Sequence, residues 1–233
     1  MARRHRIAPG GFVYHVMNRA AGRLVLFNSS SDYTAFERLL SRAQKRTDMR
    51  ILAYCLMSNH WHLLLWPEID GALSRFMHWL ETIHTSHWKL EHNRVGRGAV
   101  YQSRFKSIPV QNGAHLMTVR RYVERNPVRA NLVESADMWR WSSLSKERDR
   151  YSPTLAIPPI ALPHDWLTRV NAPQTDAELK AIRQAICDNE PLGDSVWRAE
   201  TKAATGWRRR GRPKKGVRPH FSDEKGVRPL FQL

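Results

Sequence analysis

The amino-acid sequence predicts an α+β protein built on one antiparallel sheet, and three observations support this fold class. FVYHVMNR, residues 12–19, alternates with the period of a strand directly after a Pro-Gly-Gly breaker. SSSDYTAFERLLSRAQKR, residues 29–46, follows candidate Ser and Asp N-caps with the apolar spacing of an amphipathic helix. MRILAYCLM (49–57) and HWHLLLW (60–66) are separated only by Ser58-Asn59, which favours a hairpin with a two-residue loop.

The next three segments complete the predicted order. DGALSRFMHWLETIHTSHWKLEHN (70–93) has the pattern of a long helix, FKSIPV (105–110) of a short strand, and NGAHLMTVRRYVERN (112–126) of a helix that ends before Pro127. The order β-α-β-β-α-β-α begins with the six elements of a ferredoxin-like sandwich. We therefore predict an antiparallel sheet with helices on one face, an added tyrosine-bearing helix and a basic C-terminal extension.

The regularity of the pattern divides the chain into three parts. Residues 1–133 form the predicted domain, and residues 134–205 form a looser accessory segment with a short helix near 176–188. Residues 206–233 are basic and rich in Gly and Pro, with GVRP repeated at 216–219 and 226–229. This composition is typical of a tail that is flexible when free.

Charge and cysteine usage narrow the function classes. The 233 residues carry 38 Lys and Arg against 21 Asp and Glu, a net charge of +17, which predicts a polyanionic partner and favours nucleic acid. Cys55 and Cys187 are far apart, so neither a disulfide framework nor a cysteine zinc site is expected. Since no signal peptide or membrane span is evident, we expect a cytoplasmic, nucleoid-associated protein without a membrane partner.

Two histidines on the third predicted strand are the first candidates for chemistry. His60 and His62 are two residues apart, so their rings project from the same face of the strand while Trp61 projects from the other. Two neutral imidazoles can bind one divalent ion. Histidines are also common on the polar face of a half-buried strand, so the spacing alone leaves a structural alternative open.

Tyr122 and Asn126 are the second pair of candidates. They are four residues apart on the last helix of the domain, so a phenol and an amide carbonyl lie on one helix face. A tyrosine oxygen can attack phosphorus and conserve the bond energy as a phosphotyrosine ester. The alternative from the residues alone is a packing tyrosine and a helix-terminal asparagine.

Several motifs, in order, resemble a known family. SNHWHLLL (58–65) is similar to the HUH motif of single-strand DNA endonucleases and transposases, and YVERNPVRANLV (122–133) is similar to the tyrosine helix of their single-tyrosine branch. Over residues 8–145 the chain resembles the REP-associated tyrosine transposases. Four further segments carry the likeness: GGFVYHVMNRA, LFNSSSDYTAF, VYQSRFKS and WRWSSL.

The resemblance implies a mechanism and a substrate. His60, His62 and Asn126 would hold Mg²⁺ or Mn²⁺, and Tyr122 would form a covalent 5′-phosphotyrosine link to single-stranded DNA while a 3′-hydroxyl is released. The implied substrate is a REP-type palindromic hairpin. At the offset of Asn126, mobile relatives carry glutamine, whereas the REP-associated branch resembles this sequence in having asparagine. Trp61 stands where the motif often has phenylalanine or a small apolar residue. A monomer is favoured, and a dimer that exchanges the tyrosine helix stays open.

Cationic side chains around these motifs are the candidate DNA-binding residues. The tail contains RRRGRPKK (208–215), which resembles an AT-hook and equally suits a generic electrostatic anchor. The predicted set is Arg19, Arg23, Arg104, Lys106, Arg120, Arg121, Arg125, Arg129, Arg210 and Arg212.

Other interpretations stay open. A catalytically silent DNA-binding regulator would keep the fold and the basic surface, and a hydrolase that activates water at His60 and His62 would not need Tyr122. We expect Trp139 and Trp141 to seal a core, and the remaining histidine candidates, His84 and His87, to be packing or surface residues.

Overall fold

One antiparallel sheet organises the part of the chain that the computed structural model describes, residues 8–22 and 24–207. Its strands are β1 (Val13–Arg19), β2 (Arg50–Met57), β3 (His60–Trp66) and β4 (Lys106–Val110). They lie in the order β2-β3-β1-β4 and every pairing is antiparallel, so the sheet is open, with β2 and β4 at its edges. The predicted α+β ferredoxin-like order is confirmed.

Two helices cover one face of the sheet. They are α1 (Ser30–Thr47) and α2 (Ala72–Glu91), which pack side by side. Helix α1 begins where Ser29 accepts a hydrogen bond from the backbone N–H of Asp32 and the Asp32 carboxylate returns one, a capping box that satisfies otherwise orphan donors. Apolar residues at helical spacing, such as Phe36 and Phe76, then bury against Tyr14 and Leu63 of the sheet.

The opposite face is covered by the predicted tyrosine helix and by the C-terminal segment. Helix α3 (Ala114–Glu124) and the short helix α4 (Asn126–Arg129) lie here. The sequence predicted one helix through Asn126, whereas α3 ends at Glu124. Pro127 occupies the first turn of α4, where its missing N–H costs no helical hydrogen bond, so the proline opens a second turn instead of ending the first.

Residues 134–207 form three further helices that pack on this body: α5 (Trp166–Asn171), α6 (Asp176–Asp188) and α7 (Ser195–Thr205). Helix α6 matches the helix predicted near 176–188. Trp141 is buried and stacks on Tyr33 with ring centroids 4.8 Å apart, and Trp139 donates from Nε1 to the carbonyl of Leu56. Both tryptophans therefore seal the core, as predicted.

The remaining histidine candidates are a packing residue and a surface residue, as predicted. His84 is buried, and its Nδ1 lies 2.7 Å from the hydroxyl of Tyr101, whereas His87 is exposed. None of the helices within the described ranges is long and apolar enough to cross a membrane. Arg23, Arg210 and Arg212 lie outside the described residues.

Candidate active site

Three histidines meet on the sheet face that α3 covers. Strand alternation places His60 and His62 of β3 on this face, and the same alternation in β1 places His15 there. His15 Nε2 lies 2.9 Å from His62 Nδ1, and the two rings stack with centroids 5.1 Å apart. The ring of His60 meets that of His62 edge-on at 5.1 Å. The predicted histidine pair is thus part of a cluster of three.

The tyrosine helix lays Tyr122 against this cluster. The Tyr122 ring contacts His62 and His15 edge-on, with centroid separations of 5.7 Å and 5.9 Å. Only 4% of Tyr122 is exposed, because α3 packs on the same apolar patch of the sheet through neighbours such as Val119 and Val123. The structure therefore brings Tyr122 against His62, which lies 60 positions earlier in the chain, and against His15, which the sequence analysis did not single out.

Asn126 and Arg129 complete the cluster beside Tyr122. Asn126 is fully buried, and its Nδ2 donates to the backbone carbonyl of Tyr122 at 3.0 Å. Its Oδ1, the atom predicted to bind the ion, accepts a hydrogen bond from Arg129 Nη2 at 2.5 Å. The Arg129 guanidinium carbon also lies 4.3 Å from the centroid of the Tyr122 ring. A cation thus stands beside both the predicted nucleophile and the predicted third ligand.

Burial keeps the inner histidines neutral. It lowers the pKa of His62 well below the ordinary value, and the neighbouring His60, His15 and Arg129 lower it further. Burial alone lowers the pKa of His15 to about 3. Both rings are therefore uncharged at neutral pH, which is the form of imidazole that can bind a metal ion.

The donor atoms fit a divalent ion in part. Within residues 8–22 and 24–207, no cluster of three His, Cys, Asp or Glu side chains could hold a metal, so the predicted set depends on two imidazoles and one amide. His60 Nδ1 lies 2.7 Å from Asn59 Oδ1 and His62 Nδ1 is hydrogen-bonded to His15, so each ring would present Nε2 to an ion. A set without a carboxylate leaves coordination positions for phosphate oxygens, which suits Mg²⁺ or Mn²⁺.

Predicted DNA-binding residues also lie at the end of the sheet that carries His60. Arg19 is exposed and pairs with His60 across β1 and β3, and exposed Arg104 precedes β4 at the same end. The Nζ of Lys106 lies 3.4 Å from the carbonyl oxygen of Ile186. Arg19 and Arg104 are therefore both exposed at the His60 end of the sheet.

Three other predicted arginines have intramolecular partners. Arg120 is buried and donates from Nε to Glu124 at 3.1 Å. Arg121 donates to the carbonyls of Ala172 and Pro173, and Arg125 donates to those of Val170 and Asn171. The guanidinium groups of Arg121 and Arg125 therefore bind carbonyls at the C-terminal end of α5 and just beyond it, which docks α3 against this segment, whereas Arg120 pairs within α3.

Sequence reasoning missed two residues of this region. His15 alternates with Val13 and Met17, so period-two spacing on β1 could have placed it on the histidine face. Glu124 follows Tyr122 by two residues, is fully buried, and accepts from Arg120, from Ser143 Oγ at 2.9 Å and from Trp166 Nε1 at 2.7 Å. No local pattern predicts the last two contacts, since they join α3 to the distant C-terminal segment.

Comparison with known proteins agrees with this architecture. A family model described as IS200-like transposase matches residues 10–126. The chain is similar to the structure of a REP-associated tyrosine transposase bound to a REP hairpin, with a TM-score of 0.52 and 16% identity over 69% of this chain and 96% of that one. At this identity the likeness supports the fold alone.

A second solved structure, a candidate transposase from Deinococcus radiodurans R1, has a TM-score of 0.38 and 13% identity over 53% of this chain and 96% of that chain. This likeness is too weak to support an argument. No curated protein matches the chain.

Proposed function

The chain belongs to the IS200-like transposase family, and from this premise we propose that it cleaves and rejoins single-stranded DNA through a covalent 5′-phosphotyrosine at Tyr122. The observation that supports the proposal is the edge contact of the Tyr122 ring with His62 at 5.7 Å, with Arg129 across the same ring. In a phosphoryl transfer the phenol of Tyr122 can act as the nucleophile, the imidazole of His62 as a metal ligand and the guanidinium of Arg129 as a phosphate-binding cation.

The proposed step exchanges one phosphate ester for another. Tyr122 Oη attacks phosphorus, the bond from phosphorus to the 3′ oxygen breaks, and the DNA fragment on the 3′ side of the break stays on the tyrosine through its 5′ phosphate. The phenol loses a proton and the departing 3′ oxygen gains one, so the step is balanced. Because the ester energy is conserved, a different 3′-hydroxyl can reverse the step and rejoin the strand.

Arg129 has two tasks in this proposal. Its guanidinium carbon lies 4.3 Å from the centroid of the Tyr122 ring, so it places a positive charge next to the proposed nucleophile. The same group can donate to phosphate oxygens when DNA is bound. Its hydrogen bond to Asn126 Oδ1 then weakens, and the amide oxygen becomes available to a metal ion.

We further propose that His60 and His62, with Asn126, hold Mg²⁺ or Mn²⁺. A bound divalent ion supplies positive charge beside the phosphate. His60 and His62 would hold the ion from the sheet, and Asn126 would hold it from the start of α4. The side chain of Asn126 is hydrogen-bonded to the backbone carbonyl of Tyr122, so the third ligand and the nucleophile lie next to each other.

The proposed substrate is a palindromic DNA hairpin with unpaired bases at its foot. The similar solved transposase is bound to a REP hairpin, and a net charge of +17 is well suited to a DNA backbone. Arg19 and Arg104, exposed at the His60 end of the sheet, would bind the phosphates that flank the scissile bond.

The test is a covalent complex on a denaturing gel. Labelled single-stranded REP-type hairpin DNA is incubated with the full chain and Mn²⁺ or Mg²⁺, and we expect a protein–DNA band that disappears in Tyr122→Phe or with a chelator. Tyr151→Phe, in the C-terminal segment, should keep the band. Salt-sensitive binding without a band under any metal would favour a silent regulator, and cleavage that persists in Tyr122→Phe would favour a water-activating hydrolase.

A further inference from the structure

His15 is a buried histidine to which the proposed chemistry assigns no task. It is 1% exposed, stacks on His62, and shares one hydrogen bond of 2.9 Å between its Nε2 and His62 Nδ1. Its other ring nitrogen, Nδ1, is buried and has no hydrogen-bond partner among residues 8–22 and 24–207. A histidine with one partner, and that partner a candidate metal ligand, needs an explanation beyond packing.

The shared hydrogen bond holds one proton and therefore has two arrangements. If His62 Nδ1–H donates to His15, neutral His62 keeps a lone pair on Nε2 and can bind an ion there. If His15 Nε2–H donates instead, the proton of neutral His62 sits on Nε2, and neither nitrogen of His62 can bind an ion. The direction of this one bond decides whether His62 is a ligand.

His60 supplies an independent precedent in the same site. Its Nδ1 lies 2.7 Å from Asn59 Oδ1, an amide oxygen that can only accept, so His60 donates from Nδ1 and carries its lone pair on Nε2. Metal-binding histidines in proteins are generally oriented in this way, by an acceptor on the nitrogen that faces away from the ion. The half-buried His60 uses the side-chain amide of Asn59 for this purpose.

We propose that His15 is the positioning residue of the buried ligand: it accepts the Nδ1–H of His62, selects the tautomer that binds the ion through Nε2, and fixes the ring plane by stacking. This inference rests on the proposed function. In the selected arrangement the proton of His15 lies on Nδ1, the nitrogen without a partner in the described structure. Tyr122 rests edge-on against both rings, so the same stack also supports the nucleophile.

The test measures Mn²⁺ binding to the full chain by electron paramagnetic resonance, without DNA or turnover. We expect His15→Leu to weaken Mn²⁺ affinity about 10- to 100-fold, the usual cost of losing such an orienting partner. His15→Gln should recover most of the affinity, since its amide oxygen can accept near the position of Nε2. DNA hairpin binding in chelator should be the same in all three proteins.

His84→Leu is the matched control. His84 is also buried and bonded through one ring nitrogen, to Tyr101, but it lies in the core of the other sheet face. It should leave Mn²⁺ affinity unchanged. His62→Ala should remove the binding, which places the ion at this site.

The outcomes separate the inference from the proposed function. Wild-type binding that is lost in His62→Ala but unchanged in His15→Leu would overturn the inference and leave the proposed metal site standing. No Mn²⁺ binding by the wild type would overturn both. Should His15→Leu fail to fold, nitrogen NMR of the metal-free wild type decides the matter: a proton on His62 Nδ1 supports the inference, and one on Nε2 overturns it.

Discussion

The two faces of the sheet each bury a histidine beside a tyrosine, and they differ in how the polar groups are satisfied. On the α1 and α2 face, the hydroxyl of Tyr101 accepts from Trp61 Nε1 at 3.1 Å and lies 2.7 Å from His84 Nδ1. On the α3 face, Tyr122 meets His62 and His15 through ring edges and has the guanidinium of Arg129 beside it.

This difference shows that the exposed fraction of a tyrosine is a poor guide to its role. Tyr101 and Tyr122 are 9% and 4% exposed, so exposure does not distinguish a structural tyrosine from a candidate nucleophile. What distinguishes them is the surroundings. The Tyr101 hydroxyl is bound by protein groups on two sides, whereas the Tyr122 ring is surrounded by the guanidinium of Arg129 and the imidazoles of His62 and His15.

Exchanging the two tyrosines for phenylalanine should produce the largest contrast. Tyr122→Phe should abolish the covalent DNA complex and change the stability little, because the ring contacts persist. Tyr101→Phe should keep the complex but lower the free energy of unfolding by about 1–3 kcal/mol, since it leaves buried polar groups without their partner. Denaturing gels measure the covalent complex and urea denaturation measures the stability of both variants. Loss of the complex in Tyr101→Phe but not in Tyr122→Phe would contradict the assignment of the two tyrosines.

Removing the cation beside Tyr122 should have the next largest effect. Arg129→Gln should lower the single-turnover cleavage rate about 100-fold, as expected for a lost transition-state donor. Arg121→Gln is the matched control, because that guanidinium binds the carbonyls of Ala172 and Pro173 instead. Equal rate losses in the two variants would mean that Arg129 acts only through the docking of α3.

The docking of α3 can be broken at Glu124. Glu124→Gln removes a buried charge that accepts from Arg120, Ser143 and Trp166, and should cost about 3–5 kcal/mol of unfolding free energy. Glu178→Gln removes the partly exposed partner of Arg121 and should cost less than about 1 kcal/mol. Denaturant titrations measure both variants. Similar unfolding midpoints would show that the contacts of Glu124 do not stabilise the docked α3 more than the surface pair does.

Acid should lower the free energy of unfolding, because each face of the sheet buries a neutral histidine. Burial lowers the pKa values of His15 and His84 to about 3, so between pH 6.5 and 3 the unfolded chain binds more protons than the folded one. Stability therefore falls as the pH falls through this window, by up to about 1.4 kcal/mol per pH unit for each histidine.

His15→Gln and His84→Gln should each reduce the slope of unfolding free energy against pH, measured by urea titrations at several pH values. Each variant is compared with the wild type because burial raises the pKa of Glu37 and Glu124. These two carboxyl groups stabilise the folded state as the pH falls, which opposes the effect of the histidines. An unchanged slope in either variant would mean that the histidine is protonated in the folded state.

Periodicity explains which parts of the site could be predicted. The alternation of β3 fixes the common face of His60 and His62, and helical spacing fixes that of Tyr122 and Asn126. Both are local properties. That α3 lies over the histidines was predicted through the family resemblance, because nothing local specifies which face of the sheet a helix will cover.

The partners of the arginines could not be predicted for the same reason. Arg121 and Arg125 bind carbonyls of residues 170–173, more than 40 positions away in a segment of irregular sequence. From the sequence, their positions on a basic helix indicated DNA contact. His15 is a different case. Its position on a strand could be predicted from the sequence, but the register between β1 and β3 could not.

The most direct test of the central claim is to locate the DNA adduct by mass spectrometry after digesting the covalent complex with trypsin and nuclease. We expect a nucleotide 5′-phosphate on Tyr122, in the peptide that runs from Tyr122 to Arg125. An adduct on another residue, or cleaved DNA without any adduct, would contradict it.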